Sequence, residues 1–275
     1  YMFYAICYMK ILFFNYEYPP LGGGAANAAA YILGEYSKIP ELKIDLVTSS
    51  IDSDYHLEKI GENIIIHRLP IGKNKNNLHF QSQKDLLVYA WKAYFFSKKL
   101  VKKEKYNLSH SFFTIPCGFI SLLLKWQCEI TYVVSLRGSD VPGYSERFSL
   151  LYAFLKPLVR LIWKKSSGVI ANSKGLKELA LKTNPKQEIG VIYNGIDVNQ
   201  FGKLGSCKIE SLDEKFIITT GASRITARKG IKYLIEAIKI LSPKYSNIFL
   251  KAMGDGDEKE NLKKLAKELG LEKNV

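Results

Sequence analysis

Short apolar runs alternate along the chain with longer stretches in which apolar residues recur every three or four positions. The short runs predict strands at Ile11–Asn15, Ile44–Thr48, Ile64–Arg68, Leu108–Ser111, Ile130–Leu136, Val169–Asn172 and Glu188–Tyr193. The longer ones predict helices at Ala25–Ser37, Gln83–Lys105, Cys117–Trp126, Glu146–Lys164 and Lys174–Lys182. Runs such as Val169-Ile170-Ala171 are short and wholly apolar, which is how strands buried on both faces read. Strict alternation of strand and helix predicts an α/β fold with a doubly wound parallel sheet.

A second cycle follows a polar stretch. Residues 9–202 are expected to form the first domain, 203–213 a linker, and 214–275 the opening of a second domain. That opening reads strand Phe216–Thr220, helix Lys229–Leu241, strand Ile248–Met253 and helix Glu258–Leu269. Two strands do not make a stable doubly wound sheet, so the sequence is expected to be a fragment: one complete domain and roughly the first half of another. Met9-Lys10 before an apolar strand reads as a natural start, and Tyr1–Tyr8 as an additional leader.

Composition narrows the partners. The 275 residues include 40 Lys+Arg and 26 Asp+Glu, a net charge of +14. Such an excess attracts phosphates, whether in nucleic acid, lipid headgroups or small molecules. The four cysteines form no Cys-x-x-Cys pair and cluster with no histidine, so no metal site is expected, and reduced thiols fit a cytoplasmic protein.

Six strand-end segments carry candidate chemistry. The first loop holds Gly22, Gly23 and Gly24 and opens a helix, which favours negative charge. Asn27 replaces the third glycine of a dinucleotide fingerprint, and the next strand ends in Thr48-Ser49-Ser50 without a ribose-binding acid, which argues against NAD. His110 ends the fourth predicted strand and is suited to bind a hydroxyl or shuttle a proton. Arg137 and Asp140 stand in the Gly138 loop, the first a fork for phosphate or carboxylate, the second an acceptor for hydroxyls or a partner for the arginine. Val191–Asp197 contains the Asn194-Gly195 turn. Arg224, Arg228 and Lys229 crowd a helix N-terminus, which opposes the helix dipole unless an anion is bound there. Gly254 and Gly256 close the following strand in a tight turn.

In this order the segments resemble GT-B glycosyltransferases of the retaining group called family 4, over nearly the whole chain from about Met9 onward. Val169–Ser173 resembles the family's "v-i-a-N-S", Val191–Asp197 its "V-I-x-N-G-I-D", Arg224 with Lys229-Gly230 its "R-L-x-x-x-K-G", and Gly254-Asp255-Gly256 its "G-x-G". The resemblance implies two Rossmann-like doubly wound domains facing across a cleft, the second only partly present. It implies that Arg224 and Lys229 hold the diphosphate of a UDP-, GDP- or similar sugar, with no cofactor and no metal. Gly22–Gly24, Arg137, Asn194 and Gly195 would border donor and acceptor, and His110 and Asp140 would be catalytic. The chain departs from the family at Phe112, where many members carry a second histidine; at Arg137, where histidine is frequent; and at Asp257, where proline is usual. The family's paired-glutamate segment would lie beyond Val275.

The implied acceptor is a glycan or lipid-linked glycan. The predicted helix Gln83–Lys105 sets Trp91, Tyr94, Phe95 and Phe96 beside Lys92, Lys98, Lys99, Lys102, Lys103 and Lys105, and such a helix could rest on an anionic membrane surface. That would make the protein peripheral at the inner membrane face; nucleic acid is not an expected partner. The rival classes are a basic nucleic-acid-binding α/β protein and another nucleotide-dependent enzyme of this architecture, such as an epimerase or oxidoreductase.

Overall fold

The computed structural model describes residues 8–73, 78, 81–144, 149–201 and 215–275. The expected linker 203–213 and nearly all of the expected leader lie outside the described residues. The chain separates into two compact units, residues 1–200 and 201–275.

The first unit is built on β1 (Met9–Phe14), β2 (Leu42–Ser49), β3 (His56–Ile60), β4 (Ile64–Leu69), β5 (Leu108–Phe112), β6 (Tyr132–Leu136), β7 (Gly168–Ala171) and β8 (Gly190–Val191). They form one sheet in the order β3-β4-β2-β1-β5-β6-β7-β8. All pairs are parallel except β3 with β4. Its helices are α1 (Gly24–Tyr36), α2 (Gln83–Lys103), α3 (Phe119–Cys128), α4 (Ser149–Lys165) and α5 (Lys174–Thr183).

Alternation along each strand sorts the core into layers. Ile11 and Phe13 of β1 pack with α1, whereas Leu12 and Phe14 pack with α2 and α3. Val134, Leu136, Val169 and Ala171 extend the second layer under α4 and α5. β1 is thus buried on both faces over Ile11–Phe14, which is why that segment reads as an unbroken apolar run.

Three sequence expectations need correction. The strand β3 was not predicted: it is an antiparallel edge strand with mostly exposed residues, His56-Leu57-Glu58-Lys59-Ile60, and carries no apolar signature. The strand expected over Glu188–Tyr193 shrinks to Gly190–Val191, because it lies at the other edge and pairs only with Ile170 and Ala171. The helix expected from Cys117 starts at Phe119, after an irregular helical turn over Thr114–Gly118 in which Ile115 is extended ahead of Pro116.

Charge is buried beneath α2. Asp45 is almost fully buried and accepts from Tyr106 Oη at 2.8 Å, while its other oxygen lies 3.0 Å from His67 Nε2. Lys10 Nζ stands 3.1 Å from the carboxylate. Tyr55 Oη meets His67 Nδ1 at 2.8 Å, completing a Tyr–His–Asp–Tyr chain. Burial works to raise the Asp45 carboxyl, but His67, Tyr106 and Lys10 outweigh it and hold it below its ordinary value.

The second unit consists of β9 (Phe216–Arg224), α6 (Ile231–Leu241), β10 (Ile248–Asp255) and α7 (Lys259–Glu268). The two strands are parallel, and Ile231, Ile235, Ile238, Ile248, Leu250 and Ala266 form their shared core.

The buried Asp45 network gives a stability prediction. Asp45→Ala removes the acceptor of the buried Tyr106 hydroxyl and the partner of His67 Nε2, leaves Lys10 only the exposed Glu104, and should cost about 3 kcal/mol or more. Because the Asp45 carboxyl is depressed in the fold, its contribution is full above the usual carboxylate value of about 4 and fades as pH falls through the lower folded value. Denaturant titrations at neutral and acid pH should show the wild type losing this margin on acidification and Asp45→Ala having none to lose.

Candidate functional site

The strand-end residues of the first unit are organised by one buried carboxylate. Asp140 is 1% exposed. Its Oδ2 accepts from Thr114 N at 2.8 Å and Thr114 Oγ1 at 3.1 Å; its Oδ1 accepts from Arg137 N at 2.9 Å and Gly138 N at 3.0 Å. The buried Trp163 of α4 donates through Nε1 to Thr114 Oγ1 at 2.9 Å. Burial raises the Asp140 carboxyl above its ordinary value, against the pull of these donors. Asp140 therefore ties the loop after β6 to the β5–α3 junction. It does not line the neighbouring cavity, and both of its oxygens are taken up in positioning these two loops.

That junction is strained. Phe113 has φ 69 and ψ 138, a backbone state that side chains disfavour by about 1–3 kcal/mol. The strain is held by Phe113 N donating to Ser135 O at 3.0 Å, by stacking of Phe113 on Tyr16 with centroids 4.5 Å apart, and by the Asp140 bonds to the next residue.

A cavity of about 510 Å³ opens in this unit on the α1 side of the sheet. Ala28, Tyr31, Ile32 and Glu35 of α1 form one wall; His110, Ser135, Ile170 and Asn172 form the floor; Ile192–Val198 form the rim. The cavity brings together four of the expected residues, His110, Arg137, Asn194 and Gly195. The Arg137 guanidinium carbon lies over the Phe112 ring, 3.4 Å from its centroid, and Nη1 donates to Asn194 Oδ1 at 2.8 Å. Its buried Nε has no hydrogen-bond partner among the described residues. Burial lowers Arg137 to about 10, with Asp140 opposing, so it remains a cation at neutral pH.

His110 stacks on Phe13 at 4.6 Å and its Nε2 lies 2.8 Å from Ser135 Oγ. Loss of solvation, then the nearby Arg137 charge, push it down to about 3. A neutral imidazole can donate or accept one hydrogen bond but carries no proton in reserve near neutrality.

The glycine loop lies apart from this cavity. Gly22 has φ 101, and a Cβ there would meet Glu17 at 2.5 Å, so the turn demands glycine. Gly23 precedes α1 without any side-chain cap, and no acid occupies the first turn of α1. Gly24 has open space around it. Asn15, buried and absent from the sequence expectations, braces the loop by accepting from Glu17 N at 3.3 Å.

In the second unit the remaining expected residues converge. Arg224 ends β9, opposite Asp255 of β10. Lys229 is exposed and lies in a short helical turn, Ala227–Lys229, not in the helix expected to begin there: Gly230 at φ 68 breaks the chain before α6. The α6 N-terminus has no side-chain cap and no acid in its first turn. The Gly254–Gly256 turn packs on the same loop, with Ile225 N donating to Asp255 O at 2.8 Å and Glu258 N to Ile225 O at 3.2 Å. Gly256, at φ 157, leaves room for Ile225 O only because it lacks a Cβ, which would stand 2.4 Å away. The loops after two parallel strands thus come together beside the exposed Lys229 and a helix N-terminus that no side chain caps, chemistry suited to an anion. Among the described residues no group of His, Cys, Asp or Glu is arranged to hold a metal ion.

Comparison with known proteins places both units. The profile of Glycosyltransferase Family 4 matches residues 22–200, and that of Glycosyl transferases group 1 matches residues 207–275. An uncharacterized glycosyltransferase of Methanocaldococcus jannaschii is 25% identical over 265 residues, covering 94% of this chain and 66% of the relative. The N-acetylgalactosamine-N,N'-diacetylbacillosaminyl-diphospho-undecaprenol 4-alpha-N-acetylgalactosaminyltransferase of Campylobacter jejuni is 33% identical over 123 residues, 44% of this chain and 32% of the relative. Among solved structures, sucrose-phosphate synthase from Thermosynechococcus elongatus superposes with a TM-score of 0.73 at 18% identity, covering 97% of this chain and 69% of that one, a likeness of fold. The chain spans about half to two thirds of the length of the curated relatives it matches over most of its residues.

The positioning role of Asp140 can be measured without substrate. Asp140→Ala orphans three buried backbone N–H groups and the Thr114 hydroxyl and should lower stability by about 3 kcal/mol in denaturant unfolding. A loss below about 0.5 kcal/mol would remove it from that role.

Proposed function

The chain belongs to Glycosyltransferase Family 4, with a GT-B fold, and on that premise we propose that it takes part in moving a sugar from a nucleoside-diphosphate sugar to a hydroxyl acceptor with retention of anomeric configuration. The observation that carries the reading is the paired strand-end surface of the second unit. Arg224, Lys229, the uncapped α6 N-terminus and the Gly254–Gly256 turn meet at the C-terminal ends of β9 and β10. Ligands of open α/β sheets bind at that edge.

The chemistry follows from charge. As the bond between sugar and phosphate breaks, negative charge collects on the departing diphosphate. Arg224 and Lys229 would neutralise it, and the N–H groups opening α6 would add their dipoles. The proposal takes these cations as the counter-charge in place of a metal ion. Gly254 and Gly256 would let the nucleotide approach the backbone closely.

The acceptor is assigned to the first unit. Arg137, fixed on Phe112 and by Asn194, offers a planar fork to an anionic acceptor group, and His110, neutral at working pH, offers one hydrogen bond to a hydroxyl. A cation at this point favours an acceptor linked to phosphate, and the name of the Campylobacter jejuni relative includes a diphospho-undecaprenol-linked sugar. The acceptor proposed for this chain is accordingly a glycan on a lipid diphosphate. The glycine loop, with its uncapped α1 N-terminus, would face the donor or acceptor phosphates.

Calorimetric titration with UDP, GDP and NAD tests the donor reading. One nucleoside diphosphate should bind at least about tenfold more tightly than NAD, and Lys229→Ala should weaken it about tenfold or more, the worth of one charged hydrogen bond. Binding of NAD with neither diphosphate would overturn the proposal.

A further inference from the structure

The outer face of α2 carries a second apolar stripe that the core does not use. Tyr89, Ala93 and Ser97 are buried against the sheet. On the opposite side Leu87, Trp91 and Phe95 follow one another at four-residue spacing and are 72%, 69% and 42% exposed. Four-residue spacing puts them on one line along the helix. Trp91 and Phe95 touch, with ring centroids 4.6 Å apart.

The line is bounded by cations. Helical geometry places Lys84 before it and Lys99 and Lys102 after it, all three exposed. Among the described residues none of the three enters an ion pair. The nearest acids are engaged elsewhere: Asp85 in the capping box with Ser82 and in an ion pair with Lys73, and Glu104 with Lys10. On the neighbouring α3, joined to α2 by Tyr94 Oη donating to Gln127 Oε1 at 2.7 Å, Trp126 is likewise 55% exposed.

We infer that this face of α2 docks on an anionic lipid bilayer. A helix with an aromatic centre and lysines at both ends matches the geometry of a segment lying in the membrane interface. Trp rings favour that depth, and lysine stems reach outward to lipid phosphates. Charge complementarity selects the occupant. A second copy of the chain meeting this stripe about a twofold axis would set lysines against lysines, and no acid on the stripe relieves them. A uniformly negative surface meets no such conflict. No helix among the described residues is long and apolar enough to cross a membrane, so the contact is one of lying on the surface.

The test is sedimentation of the protein with vesicles of phosphatidylcholine alone and of phosphatidylcholine with roughly one third phosphatidylglycerol. The anionic vesicles should bind at least about tenfold more strongly, and raised salt should weaken that binding. Leu87→Ser with Trp91→Ser, and separately Lys99→Glu with Lys102→Glu, should each cut binding by about tenfold or more, with circular dichroism and melting unchanged because all four side chains are exposed. Equal binding to neutral vesicles, no binding, or full binding by the Leu87→Ser/Trp91→Ser variant would overturn the inference. So would a dimer in light scattering that the same variant abolishes, which would give the stripe to a second copy. The readout is lipid, not sugar, so its failure leaves the transfer reading untouched.

Discussion

The strand-end chemistry of the first unit depends on a carboxylate that faces no solvent. Asp140 gathers donors from two separate loops, and Trp163 secures the arrangement from α4 through Thr114. The bonds hold a strained Phe113 on one side and the Arg137 loop on the other. With that loop fixed, the Arg137 guanidinium lies on Phe112 and reaches Asn194, and the cavity acquires a permanent cation beside a neutral imidazole. A cation held over an aromatic ring loses little freedom on binding, which is what a site for an anion needs.

The second unit solves the same problem with backbone instead of carboxylate. Its two strand-end loops are joined by Ile225 bonding to Asp255 O and Glu258 N, through a contact that only glycine at 256 permits. What this arrangement leaves open is the start of α6, with no acid to offset its dipole and with Lys229 just before it. Cations next to a positive helix end are unfavourable until an anion arrives. Both units therefore present positive chemistry at the C-terminal ends of parallel strands, as expected of partners that carry phosphate.

Much of this was legible in the sequence, and the gaps have physical reasons. Core strands such as β1 announce themselves because burial on both faces over Ile11–Phe14 leaves no polar residues. The edge strand His56–Ile60 does not, because solvent on its outer side removes the pattern. The candidate residues His110, Arg137 and Asn194 were found, and the structure does bring them together. Asp140 was found with an expected role that its burial redirects: a motif shows which residue is present, not which way its oxygens turn. Phe113, Thr114, Trp163 and Asn15 were missed, since each acts through a contact formed only after folding. The sole hint was that Phe112–Gly118 crowds aromatic residues and a proline into a strand exit.

The central claim is that the two strand-end loops of the second unit hold the donor diphosphate. Hydrogen–deuterium exchange with and without a nucleoside-diphosphate sugar addresses it directly. The account predicts slowed exchange at residues 224–233 and 254–258, where N–H groups of the loop and of the α6 start would close on the phosphates. Unchanged exchange in both segments, at a ligand concentration where calorimetry shows the protein to be saturated, would contradict it.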